Sequence, residues 1–239
     1  MLTVSDFSAR DIARVLGVAP SKLRVAVEAP ASSFRPSEST DEIRRFAAVH
    51  GLHSDSRWFV YVGGFNPHKH VDSIVRAHAA VARESKAPIH LLLVGTVDKD
   101  VFHGDRARIT ETIAQCGTES LVHWTGFVAD DELRHLHSGS IALVLPSECE
   151  GFGLPAVEAA ACGAAVVATT ESPLPELLEG GGFFVKPGDE LALETAMRTL
   201  ATDEEKRGAM AAKALARARD LNWPRGAKAA LDALREAAR

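Results

Sequence analysis

The chain has 239 residues, 46% of them hydrophobic and 25% charged, with a net charge of −5. That balance is globular: it excludes disorder outside the ends and the serine-rich stretch 31–40, and gives no electrostatic reason for a nucleic-acid partner. No apolar run nears the roughly 20 residues a membrane-spanning helix needs, and Met1-Leu2-Thr3-Val4 leads into polar sequence rather than a signal peptide.

Three cysteines without paired spacing, Cys116, Cys149 and Cys162, read as reduced, buried thiols. The expectation is a cytoplasmic protein of one large domain, or one domain and a piece of another, with peripheral membrane contact left open.

The first 50 residues read as a strand end, a helix at 6–16, a turn at 17–21, a strand at 23–27 and, past Pro30 and Pro36, a helix at 41–49. From residue 58 short apolar runs alternate with amphipathic segments. Strands are expected at 58–62, 89–94, 121–125, 141–145 and 165–168. Helices are expected at 70–85, 107–116, 130–137 and 155–161. The alanine-rich tail from 189 reads as helical, broken at Trp223-Pro224 and capped at Asp189 and Asn222. Near-continuous apolar strands separated by helices predict an α/β fold, a Rossmann-like doubly wound parallel sheet. Such a sheet binds ligands at the carboxyl ends of its strands, which directs attention to the loops at 63–69, 95–105, 126–130 and 147–154.

The strongest pattern is Glu150-Gly151-Phe152-Gly153-Leu154-Pro155-Ala156-Val157-Glu158, placed after an apolar strand and opening a helix. Two glycines let a ligand approach the backbone, and the helix N-terminus offers unpaired N–H groups to a diphosphate or a sugar hydroxyl. Glu150 in the loop can accept from sugar hydroxyls. Glu158, read as lying in the first helical turn, can take a ribose diol or merely complement the helix dipole. Gly63-Gly64-Phe65-Asn66-Pro67-His68-Lys69 suits a phosphate-binding turn with Lys69 at a helix start, but it is neither a dinucleotide nor a P-loop pattern.

The stretch from Glu150 to Glu158, with its strand before and helix after, resembles the paired-glutamate signature of family 4 glycosyltransferases of the GT-B fold. The resemblance runs from about Thr3 to the C-terminus. It implies that Glu150 faces the donor sugar, that Glu158 holds the nucleotide ribose, and that Lys69 clamps the donor diphosphate. Glu150 and Lys69 are the implied catalytic pair. Relatives carry an arginine where Gly64 stands here, and some carry one at His68, so half of that clamp differs and His68 is its candidate substitute.

The implied donor site takes in Gly63, Gly64, His68 and Lys69, and the amides of Gly151, Phe152, Gly153 and Leu154. Phe127 and Val128, after Thr125-Gly126, would sit beside the base; for Phe127 core packing is an equal reading. The resemblance further implies a retaining transfer from a nucleotide diphosphate sugar, without metal or other cofactor, to an unknown acceptor. GDP-mannose is preferred over a UDP-sugar on the stretches 61–69 and 172–176.

Segments 1–50, 51–222 and 223–239 would then be the end of an acceptor domain with its linker, the nucleotide-sugar-binding domain, and a crossover helix. The acceptor half would be missing, to be supplied by a separate N-terminal domain or by homo-oligomer formation. Without it, weak or absent transfer is expected. A 2-epimerase or phosphorylase is disfavoured by the paired glutamates, and a dehydrogenase by the lack of G-x-G-x-x-G. A non-catalytic nucleotide-sugar-binding or protein-interaction module remains the alternative. His135 and His137, two apart on a helix, make a poor metal pair. His123 reads as a hydrogen-bonded core residue, and Asp98, Asp100, His103 and Asp105 as a solvated loop.

Overall fold

The computed structural model describes residues 1–96 and 105–238, so Asp98, Asp100 and His103 lie outside the described residues. The amino-terminal segment comprises β1 (Leu2–Thr3), α1 (Asp6–Leu16), β2 (Arg24–Val25) and α2 (Thr40–Val49). β3 (Arg57–Val62), α3 (Val71–Glu84), β4 (Ile89–Val94), α4 (Arg106–Cys116), β5 (Val122–Gly126) and α5 (Asp130–Gly139) follow. The chain continues through β6 (Ala142–Leu145), α6 (Leu154–Ala161), β7 (Ala165–Thr169), α7 (Leu174–Leu177) and β8 (Gly182–Val185). It closes with α8 (Glu190–Thr202), α9 (Glu204–Arg219) and α10 (Trp223–Ala237).

Six strands form one parallel sheet in the order β5-β4-β3-β6-β7-β8, and β1 and β2 form a separate parallel pair. Strand order reverses at β3, which is the switch point of a doubly wound sheet. Strands β4, β6 and β7 are buried at every position, as strands covered by helices on both faces must be.

Side-chain caps start the helices where the sequence provides them. Ser5, Ser39, Asp189, Asp203 and Asn222 each accept the N–H three residues on. The cap at Asp203 splits the tail into α8 and α9, a break additional to the expected one at Trp223. Strand β8 was not expected either: its Gly182-Phe183-Phe184-Val185 is an edge strand of four residues, too short for an alternating pattern. Gly182 must be a glycine there, because a Cβ would lie 2.2 Å from the Val166 carbonyl oxygen of β7.

The cysteines depart from expectation. Only Cys162, on the helix-to-strand exit into β7, is buried; Cys116 at the end of α4 is half-buried and Cys149 in the 147–154 loop is exposed. No helix among the described residues is long and apolar enough to cross a membrane.

Histidines are unusually deep. His78 is fully buried and its Nε2 meets the Ile89 carbonyl at 2.8 Å, while both ring nitrogens of buried His137 lack a partner among the described residues. His135 instead stacks on Phe46 and meets Ser37 Oγ at 2.9 Å, so the two α5 histidines serve different surroundings. His123 is only half-buried and shares a 2.9 Å hydrogen bond with His90.

Burial pushes His78 down to about 4 and His137 to about 3. In the unfolded chain both would take a proton near pH 6.5. Stability is therefore complete above pH 6.5 and falls as pH drops toward these depressed values, because the unfolded state then binds more protons. The expected limiting slope is about 1.4 kcal/mol per pH unit for each histidine, to be read from urea unfolding between pH 7.5 and 4.5. A His137→Leu variant should lose its share of the slope; an unchanged slope would contradict its buried neutral state.

Candidate functional site

Parallel pairing brings the loops after β3, β4, β5 and β6 to one edge, where two glycines set the spacing. The Gly63 N–H donates to the Val94 carbonyl at 3.0 Å, and Gly95, with φ +154°, packs so tightly that a Cβ would lie 2.1 Å from the Gly63 oxygen. Beside this contact opens a cleft of about 310 Å³. Its walls include Gly63 and Gly64 after β3, Gly95 and Thr96 after β4, Phe127 and Val128 after β5, and Asp130 at the start of α5. Phe34 from the linker and Glu158 from α6 complete it.

Phe127 is 77% exposed, which removes the core-packing reading. Val128 is buried with its side chain in the core. Thr96, Asp130 and Phe34 were not singled out from the sequence. Asp130 was visible as the first residue of an expected helix, whereas Phe34 is brought in only by the path of the linker.

Lys69 is not at the start of a helix. It ends a 3₁₀ turn, Pro67–Lys69, that precedes α3. The turn continues into His70, which holds φ +51° and is the one non-glycine residue with positive φ among those described. This backbone joins the 3₁₀ turn to α3 with Lys69 at its end. The Lys69 Nζ meets Glu150 Oε1 at 2.8 Å, with 20% and 13% of the two side chains exposed. Ser147 Oγ donates to the same oxygen at 2.6 Å, and the Glu148 N–H donates to the His68 carbonyl at 2.7 Å. The lysine turn and the 147–154 loop are thus one assembly. His68 and Gly64 are both exposed.

α6 begins at Leu154, capped by Gly153 with φ +82°, where a Cβ would lie 2.6 Å from the Leu174 side chain. Glu158 is therefore the fifth helical residue and lies in the second turn, not the first. Phe152 is buried, so the loop offers its backbone and not that ring to a ligand. The other seven residues of α6 are apolar, and Glu158 is half-buried among them. Burial, reinforced by the charges of Asp130 and Glu28, raises its carboxyl to about 7. Tyr61, the single tyrosine of the chain, is buried beneath the glycine turn and donates to the Gly64 carbonyl. Burial and the charge of Glu150 raise its hydroxyl well above the usual range. No group of three His, Cys, Asp or Glu residues that could hold a metal occurs among the described residues.

The assembled edge thus presents one lysine, one ion-paired carboxylate, a second carboxylate poised near neutrality, and glycine-rich backbone. That set can hold an anion at the lysine and accept hydroxyl hydrogen bonds at the carboxylates.

Residues 42–217 match the family described as glycosyl transferases group 1. Over 227 residues the chain is 26% identical to O-antigen chain mannosyltransferase B of Escherichia coli, covering 93% of this chain and 57% of that protein. A structure of sucrose-phosphate synthase from Thermosynechococcus elongatus superimposes with a TM-score of 0.83 at 25% identity, covering 98% of this chain and 57% of that one. Anabaena HepE in complex with UDP-glucose gives 0.80 at 21% identity, covering 99% and 63%. The chain thus spans little more than half the length of these proteins.

His70→Gly is expected to stabilise the fold by about 1 kcal/mol, because glycine adopts positive φ without the Cβ penalty. His70→Val should destabilise it by at least as much. Urea unfolding of the two variants measures both; a destabilised His70→Gly would mean that the imidazole contributes more than the backbone strain removes.

Proposed function

The chain belongs to the glycosyl transferases group 1 family, and from that premise we propose that it is the donor-binding half of a retaining glycosyltransferase that uses a nucleotide diphosphate sugar. The observation that carries this reading is the convergence of Lys69, Glu150 and the 151–154 backbone at the strand ends, with Glu158 in the adjoining cleft. In the proposed complex Phe127 and Thr96 flank the base and Glu158 takes the ribose hydroxyls. Lys69 and the loop amides hold the diphosphate. Glu150, already oriented by Lys69 and Ser147, accepts from the sugar hydroxyls.

When the glycosidic bond to the diphosphate breaks, negative charge grows on the leaving oxygen. Lys69 and the amides, fixed before the reaction, stabilise it without a metal ion. The lysine contributes on the order of 1.5–3 kcal/mol.

Asp130 favours guanine over uracil. A carboxylate at the cleft wall can accept both the N1–H and N2–H of guanine, whereas uracil presents one N–H between two carbonyls that the carboxylate repels. GDP-mannose fits this preference, as does the similarity to an O-antigen mannosyltransferase; HepE, which binds UDP-glucose, shows only that the shared fold accommodates another base.

The acceptor would be held by a further domain. Met1, Leu2, Val15 and Leu16 on the β1–α1 segment and Trp223, Leu231 and Leu234 on α10 are exposed apolar side chains that such a domain would cover. The 239-residue chain alone is therefore expected to bind donor without transferring sugar at a useful rate.

Calorimetric titration with GDP, UDP and ADP tests the reading. GDP should bind tightest, and Lys69→Ala and Glu158→Ala should each weaken it, the former by about 10- to 100-fold. Asp130→Asn should erode the preference for GDP over UDP. Absence of binding by folded protein would refute an autonomous donor site.

The same site predicts a pH dependence. Only ionised Glu158 accepts from both ribose hydroxyls, so affinity for GDP-mannose, whose diphosphate diester does not titrate near neutrality, should rise as pH increases through about 7. Glu158→Gln should flatten that profile.

A further inference from the structure

Two hydroxyls of the amino-terminal segment converge on one carbonyl of the 147–154 loop. Ser5 Oγ donates to the Gly151 oxygen at 2.6 Å, and Ser8 Oγ donates to the same oxygen at 3.0 Å. Ser5 is buried and its Oγ also accepts the Ser8 N–H at 3.0 Å, which starts α1. Capping needs only that accepted bond. The contact with Gly151 is additional, and it reaches across 146 residues of sequence.

The peptide plane gives the contact a directional consequence. No cis peptide occurs among the described residues, so the carbonyl of Gly151 and the N–H of Phe152 point to opposite sides of their shared plane. Holding the carbonyl on the α1 side aims the Phe152 N–H away from α1. That N–H has no acceptor among the described residues, and the Phe152 ring is anchored in the core. The neighbouring residue is fixed separately. The Glu150 N–H donates to the Glu171 carbonyl at 3.0 Å, and the Glu150 carboxylate is held by Lys69 and Ser147. The orientation of the next peptide is left to the two serines.

We propose that Ser5 and Ser8 are positioning residues for the transferase site: their hydroxyls orient the Gly151–Phe152 peptide so that its N–H is presented to the donor diphosphate. This rests on the nucleotide-sugar reading given above. It makes the amino-terminal segment a working part of the donor site, so that separating α1 from the loop loosens diphosphate binding while leaving the base and ribose contacts in place.

Three variants separate this role from helix capping. Ser5→Asp keeps an acceptor for the Ser8 N–H but cannot donate to Gly151. Ser8→Ala removes the second donor and leaves the cap. Ser8→Thr restores the hydroxyl. Each is titrated with the tightest-binding of GDP, UDP and ADP, and with the matching nucleoside. Ser5→Asp and Ser8→Ala should each weaken the diphosphate by about 3- to 10-fold and leave the nucleoside within twofold, and Ser8→Ala should keep the thermal midpoint close to the parent's; Ser8→Thr should bind like the parent.

Equal losses for nucleoside and diphosphate, or unchanged diphosphate affinity in both variants, would overturn the proposal. A measurement without ligand accompanies it: the Phe152 amide nitrogen resonance, which responds to hydrogen bonding at the preceding carbonyl, should move in both variants and return in Ser8→Thr. If it stays put, the serines do not orient the peptide. If it moves while the parent binds no nucleotide, the orienting contact stands and the donor assignment falls.

Discussion

Parallel pairing of β3 with β4 on one side and β6 on the other is the constraint on which the candidate chemistry depends. It delivers the glycine turn, the lysine turn and the paired-glutamate loop to a single edge. Gly63 and Gly95 then fix how near the two turns come, since backbone meets backbone with no room for a side chain. The cleft lies beside that contact. Its geometry is therefore set first by the sheet, and the contacts between the lysine turn and the 147–154 loop add to it.

The electrostatic arrangement is economical. The two carboxylates are placed in contrasting surroundings: Glu150 is paired with a cation and a hydroxyl, and Glu158 is set among apolar neighbours with two other acids near. Burial leaves the second near the midpoint of its titration at neutral pH. Where the resemblance implies an arginine, this chain has the exposed Gly64. In the proposed site, backbone N–H groups and Lys69 supply the positive end, with exposed His68 beside them. The proposed serine clasp matters more under these conditions, because an amide contributes fully only when its direction is set in advance.

Much of this was legible in the sequence because period and punctuation agreed. The apolar runs of β3, β4, β6 and β7, the caps at Asp189 and Asn222, and Pro155 at the start of α6 all announce their elements locally. What escaped was non-local. β8 is defined by pairing with β7 rather than by its own pattern. The Asp203 cap is hidden in continuous helix-forming sequence. Phe34 and Asp130 enter the cleft through the linker's path and the α5 approach, and the shift of Glu158 to the second turn depends on where Gly153 lets the helix begin. The exposure of Cys149 is likewise a property of loop placement, since composition says only that unpaired cysteines are usually buried.

α10 returns from the far end of the chain to lie on β2, and Gly226 lets it approach so closely that a Cβ there would sit 2.1 Å from the Val27 oxygen. Arg24 and Glu236 join the two ends of the sequence across the same seam. β1, α1, β2 and α10 consequently form one unit, tied to the six-stranded body by the linker after β2, by the short Asp220–Asn222 stretch before α10 and by the serine contacts with Gly151. With both ends of the sequence bound into it, a load applied to either terminus is shared by the other.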